Sequence, residues 1–271
     1  MTGLPPHGYS AFDIPDILNV VFHPRSERRA PSSGPGTCDL IVDMDDGVRI
    51  GTRFHPAGKK DPIIVFFHGN GEIASDYDDL GPVYTDMGIS IIVCDYRGYG
   101  LSTGRPTVSH MMADATALFD RVLSRLRDDG FTGPIIVMGR SLGSASALEI
   151  AKKRSNDIAA LIIESGFAYI MPLLNLLGFE NHKDGVNEEA GPRNLEKIKA
   201  IDMPTLIIHA QFDHIIPFSD GEALYHHSPA TDKRLLEIEG ADHNSIFYRG
   251  LDAYMDAVRT LVDSIRPSAP E

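Results

Sequence analysis

Six short, mostly apolar runs recur along this chain and constrain its fold more than any other feature: Ile63 to Phe67, Ile89 to Val93, Ile135 to Met138, Ala159 to Ile163, Thr205 to Ile208 and Arg234 to Ile238. Runs this short, without alternation, suit strands buried on both faces. Stretches with helical spacing separate them. The clearest, Val108 to Arg127, repeats Met111, Ala115, Leu118, Val122 and Leu126 on one face, sets Asp114 and Asp120 on others, and ends at Gly130. Upstream, Asp39 to Met44 and Val48 to Phe54 flank Asp45-Asp46-Gly47 and read as an antiparallel hairpin. An antiparallel start followed by alternating strands and helices predicts an α/β fold, a mostly parallel eight-stranded sheet covered by helices on both sides.

In such sheets ligands bind beyond the carboxyl ends of the strands. Unusual residues cluster at those ends: His68-Gly69-Asn70-Gly71, Asp95 to Gly100, Gly139-Arg140-Ser141-Leu142-Gly143, Glu164, Asp213 and His243. The third group joins an apolar run to a small-residue helical stretch, Ser144 to Lys153. A strand-to-helix turn that sharp strains its central residue and needs small residues on either side, which makes Ser141 a candidate nucleophile. The Leu142 amide is then left free at a helix N-terminus, where developing negative charge is stabilised.

A serine hydroxyl needs a base to take its proton, and the base needs an acid to hold its tautomer. His243 in Gly240-Ala-Asp-His-Asn244 and Asp213 in Phe212-Asp-His-Ile-Ile-Pro217 each follow an expected strand, in the order Ser, Asp, His. Asp242 adjoins the base and reads as a loop cap; Glu164 is the reserve candidate, as substitute acid or as a residue shaping the pocket. The glycine-rich loop at His68 lets a second backbone amide, that of Asn70, reach the same oxygen as Leu142. His68 itself reads as structural.

These segments, HGNGE at 68 to 72, DYRGYGLSTG at 95 to 104, GRSLG at 139 to 143, FDHIIP at 212 to 217 and ADHN at 241 to 244, resemble the α/β-hydrolase superfamily over residues 36 to 265. They are most similar to small serine hydrolases related to dienelactone hydrolases, prolyl-oligopeptidase-type peptidases and protein depalmitoylases. The resemblance implies Ser141 as nucleophile, Asp213 as acid, His243 as base, and Asn70 and Leu142 as oxyanion donors. Serine rather than cysteine or aspartate at the elbow implies acyl transfer to water, with a small-molecule acyl ester or thioester as substrate. A small peptidase or aminoacyl hydrolase, or a noncatalytic ligand-binding protein on the same scaffold, are the alternatives.

The longest insertion, residues 168 to 201, lies after the sixth strand, where a short cap is expected. Its first half is apolar, and Tyr169, Ile170, Met171, Leu173, Leu174, Leu176, Leu177 and Phe179 form either an acyl-binding wall or a helix packed on the core. Of these, Tyr169, Met171, Leu174 and Phe179 are the expected pocket residues. The polar second half, Glu180 to Lys199, reads as a loop gating entry or as solvated surface.

With 271 residues, 42% of them hydrophobic, the chain can bury one large core, so one domain over residues 1–271 is expected. The net charge of -13 argues against nucleic acid or an anionic membrane as main partner. Cys38 and Cys94 make no disulfide framework, and no signal peptide or apolar stretch of ~20 residues appears, which together suggest the cytoplasm and no membrane span. Neither a Walker loop nor a His-Glu-x-x-His helix is present, and His226-His227 reads as an exposed helix end, so no cofactor and no metal are expected. Oligomeric state is not legible.

Overall fold

The hairpin forms around Asp45-Asp46-Gly47 as expected: Gly47 takes φ +81°, and the Met44 amide donates to the Val48 carbonyl at 2.7 Å. It joins β1 (Cys38–Asp43) to β2 (Arg49–His55). The computed structural model describes residues 8–32, 36–180 and 184–266. Half of the loop at 31–36 and most of the tail at 266–271 lie outside them.

Six further strands complete one sheet: β3 (Ile63–Phe67), β4 (Ser90–Cys94), β5 (Ile135–Arg140), β6 (Ala160–Glu164), β7 (Thr205–Ala210) and β8 (Lys233–Ile238). Their order is β1-β2-β4-β3-β5-β6-β7-β8; β2 runs antiparallel to both neighbours and all other pairs are parallel. Every residue of β3 through β7 is buried. Because side chains alternate along a strand, Ile63, Val65 and Phe67 enter one apolar cluster and Ile64 and Phe66 the other. The first cluster holds α3 (Val108–Asp128), α4 (Gly143–Lys153) and α7 (Phe218–His227); the second holds α2 (Gly81–Asp86) and α8 (Ile246–Ile265).

Helix α3 begins at Thr107, whose side chain accepts from the His110 amide, and ends where Gly130 turns at φ +80°. Strand β5 runs two residues past the apolar run that announced it. Gly139 and Arg140 pair with Ile163 and Glu164, so extended backbone continues where apolar side chains stop.

No helix was expected before the sheet or in the polar half of the insertion. Before the sheet, α1 (Pro15–Val21) packs against α5 (Ile170–Leu176), the first helix of the insertion after β6. The insertion's polar half is docked in its described part, not simply solvated. In α6 (Asn194–Ile198), Lys197 is buried with its Nζ 2.7 Å from Glu149 of α4, and Asn194 donates to the Phe167 carbonyl at 2.9 Å. Glu188 accepts from the Ile170 and Met171 amides at 2.9 and 3.0 Å, capping α5 from across the insertion. Among the described residues, no helix is long and apolar enough to cross a membrane.

Helix α4 crosses β3 at very short range. A Cβ on Gly143 would stand 2.0 Å from the Phe67 carbonyl oxygen, and one on Gly139 would stand 2.3 Å from that of Gly143. Both obstacles are backbone, so neither can swing aside. Gly143→Ala is expected to cost about 3 kcal/mol, the upper end of ordinary overpacking, and to lower the thermal midpoint. Gly36→Ala, with open space around its Cβ, should leave that midpoint unchanged.

Candidate active site

Ser141 sits between β5 and α4 with φ +51°, a left-handed conformation unfavourable for serine by ~1–3 kcal/mol. The surroundings hold it there. Its amide donates to the Glu164 carbonyl at 2.9 Å, and its carbonyl accepts from the Ser144 amide at 3.0 Å and hydroxyl at 2.7 Å. The strained turn presents Oγ above the sheet's edge, 3.0 Å from Nε2 of His243. On the ring's other side, Nδ1 lies 2.7 Å from Asp213 Oδ2. The network assigns the proton to Nδ1, leaving Nε2 to accept from the serine hydroxyl.

Asp213 follows β7, and its Oδ1 accepts from the Ile215 and Ile216 amides at 3.0 and 2.8 Å. Burial pushes its pKa up, but the hydrogen bond and charge of His243 and these two amides outweigh burial and hold it below the usual carboxylate range. His209, fully buried beneath it, donates Nε2–H to the Ile216 carbonyl at 2.8 Å, and burial lowers its pKa.

Glu164 is close to these groups but differently employed. Its Oε1 accepts from Arg140 Nε at 2.9 Å and its Oε2 from the Tyr254 hydroxyl at 2.8 Å. Complete burial raises its pKa despite Arg140 and Tyr254. The carboxylate facing His243 Nδ1 is that of Asp213, and the reserve role for Glu164 falls away. Asp242 is exposed and accepts from Asn244 and Ser245 of its own loop, as a cap does.

The Asn70 and Leu142 backbone amides have no acceptor among the described residues, and both residues line the cavity over Ser141. The Asn70 side chain is fixed from outside the sheet: its Oδ1 accepts from the His23 amide at 2.9 Å and the Tyr99 hydroxyl at 2.8 Å. Arg25 donates to the Gly71 carbonyl at 3.1 Å. His68 is fully buried, 3.2 Å from Asp95 Oδ1, which supports its structural reading.

The cavity measures about 280 Å³, and its apolar wall comes from Val21, Leu142, Phe167, Ile170, Leu173, Leu177 and Ile215. None of the expected pocket residues Tyr169, Met171, Leu174 and Phe179 is on that wall. Leu174 and Phe179 point into the core, Met171 packs beside it, and Tyr169 is 37% exposed. One face of α5 meets the cavity and another the core. Val21, Glu72, Arg140, Phe167, Ile215 and Asn244 also line the cavity and were not among the expected pocket residues. For Arg140, its place inside the elbow was the available clue. His226 and His227 end α7 and are exposed, as expected.

The serine aminopeptidase S33 family profile matches residues 58–179, a span that includes the Asn70 loop and Ser141 and stops before Asp213 and His243. The alpha/beta hydrolase domain-containing protein aho-3 of Caenorhabditis elegans is 31% identical over 232 residues, 81% of this chain and 64% of that protein. The chain thus spans just under two thirds of that relative's length. Uncharacterized protein Rv2307c of Mycobacterium tuberculosis is 28% identical over 242 residues, 85% of this chain and 80% of its own. The Pyrococcus furiosus esterase Pf2001 shares the fold, with a TM-score of 0.68 at 15% identity over 90% of this chain and 100% of that one. By its strand order, its elbow and these likenesses, the chain has the α/β-hydrolase fold and is similar to members of that superfamily.

The depressed Asp213 pKa has a stability consequence. A carboxylate whose folded pKa lies below its unfolded value of ~3.9 contributes stability above that value and loses it as pH falls through the folded one. Asp213→Asn, which resembles the protonated acid, should therefore be less stable than wild type at neutral pH. The gap should close below about pH 4, as measured by urea unfolding across that range.

Proposed function

We propose that this chain is a serine hydrolase that cleaves carboxylic esters or thioesters through an acyl-enzyme. The observation that carries the reading is His243, bridging Ser141 Oγ at 3.0 Å and Asp213 at 2.7 Å. Ser141 Oγ attacks the carbonyl carbon while His243 Nε2 takes its proton, and Asp213 stabilises the imidazolium. The carbonyl oxygen gains the charge and meets the Asn70 and Leu142 amides, each donor being worth ~10²–10³ in rate. The C–O or C–S bond then breaks, and the leaving group takes the proton from His243. Water, deprotonated by the same nitrogen, releases the acid and regenerates Ser141. The site lies within a single hydrolase domain, with residues 168–201 as its cap.

An aminoacyl or peptide substrate is the second reading, favoured by the description of the matched family. Such a site needs a free carboxylate for the substrate's amino group. Among the described lining residues the carboxylate is Glu72, already bound by Arg140, the Gly69 amide and the Tyr77 hydroxyl. The apolar wall fits an acyl chain better.

Ser141→Ala is expected to abolish labelling by a fluorophosphonate and to lower p-nitrophenyl ester turnover by several orders of magnitude, ~10⁶ in a well-studied protease. Retention of most of that turnover would sink the assignment, and a folded wild-type protein that takes no label would favour a binding role. On a matched panel of ester, thioester and aminoacyl amide, the highest kcat/KM should fall on an ester or thioester. Leu173→Gln should raise KM more for hexanoyl than for acetyl esters.

A further inference from the structure

Beside the triad lies a second set of charges, with Arg140 and Glu164 buried and Glu72 half-buried, that the acyl-transfer steps do not use. Arg140 is buried, yet its guanidinium engages two other loops and the end of β6: Nη1 donates to Glu72 Oε1 at 2.6 Å, Nη2 to the His243 carbonyl at 2.7 Å, and Nε to Glu164 Oε1 at 2.9 Å. Glu72 extends the chain of contacts, since its Oε2 accepts from the Gly69 amide at 2.6 Å and the Tyr77 hydroxyl at 2.7 Å. The loop rests directly on the guanidinium. A Cβ on Gly69 would come within 2.7 Å of Arg140 Nη1.

Buried ion networks are poor sources of net stability, and apolar side chains of similar volume often serve as well. What a planar guanidinium adds is direction, because its donors point along fixed lines. Here those lines run from the elbow to the loop carrying Asn70 and to the loop carrying His243. We propose that Arg140, acting through Glu72 and the His243 carbonyl, is a positioning residue that sets the oxyanion loop and the base loop relative to Ser141. This rests on the acyl-transfer reading. The substrate's acyl chain meets the apolar wall, whereas alignment of donor and base counts in the transition state, so loss of Arg140 falls on kcat rather than KM.

The test uses the full chain and the variants Arg140→Met, Arg140→Lys and Glu72→Gln, with kcat and KM measured on a p-nitrophenyl ester. Amide hydrogen exchange at Gly69 is followed alongside, because it needs no turnover. Arg140→Met should lose about 10²-fold in kcat with KM within about threefold, the scale of a misplaced catalytic group. Arg140→Lys should lose less. Exchange at Gly69 should quicken in the Arg140→Met and Glu72→Gln variants while β3 and β5 keep their protection. If Arg140→Met does not fold, Glu72→Gln decides, since it leaves the Arg140–Glu164 pair intact; it should lose about tenfold in kcat. A Glu72→Gln kcat within twofold of wild type, or a rise in KM alone, overturns the proposal. If wild type reacts with neither ester nor phosphonate while Gly69 exchange still responds, the positioning role stands and the acyl-transfer reading falls.

Discussion

The first turn of α4 runs so close to β3 that Gly143 has room for hydrogen alone beside the Phe67 carbonyl, and the arrangement of the site follows from that approach. It brings the start of the helix against the loop that follows β3, so that Leu142 and Asn70, on different elements, open onto one cavity. It also makes the turn at Ser141 abrupt, which is why a serine there holds φ +51°. The Glu164 carbonyl and Ser144 keep the turn in place. A looser crossing would relax the backbone and draw the hydroxyl away from His243.

Two carboxylates, one at the end of β6 and one in the loop after β7, lie near the same histidine, and their surroundings push their pKa values in opposite directions. Asp213 receives the imidazole and two amides, all favouring charge; Glu164 is sealed in the sheet, where burial works against charge. Both Glu164 oxygens are already engaged, by Arg140 and Tyr254. Position at a strand end therefore does not choose between them; the partners do.

That distinction marks where sequence reasoning succeeded and where it stopped. Strands β3 to β7 were legible because burial on both faces removes polar residues from them, and the Ser141, Asp213 and His243 loops were legible because parallel strands end on one edge. The end of β5 was not, since Gly139 and Arg140 pair as extended backbone without apolar side chains. The partners of Arg140 stayed hidden for a different reason: Glu72 is 68 residues away along the chain and the His243 carbonyl 103, and no local pattern encodes such pairing. On α5 the sequence is apolar nearly all round, so its rotation about its own axis could not be read. Ile170, Leu173 and Leu177 face the cavity, while Leu174 faces the core.

The segment before the sheet reaches the site twice: Val21 closes part of the cavity wall, and His23 and Arg25 hold the Asn70 loop. Another part of the wall comes from α5, itself packed on α1. Much of the cavity lining therefore belongs to two peripheral segments in mutual contact, while Ser141, Asp213 and His243 belong to the sheet's loops. Such a division lets the two parts diverge at different rates. Substitutions that keep α1 and α5 complementary can reshape the chamber over generations while the sheet, with its tightly packed crossing, stays as it is.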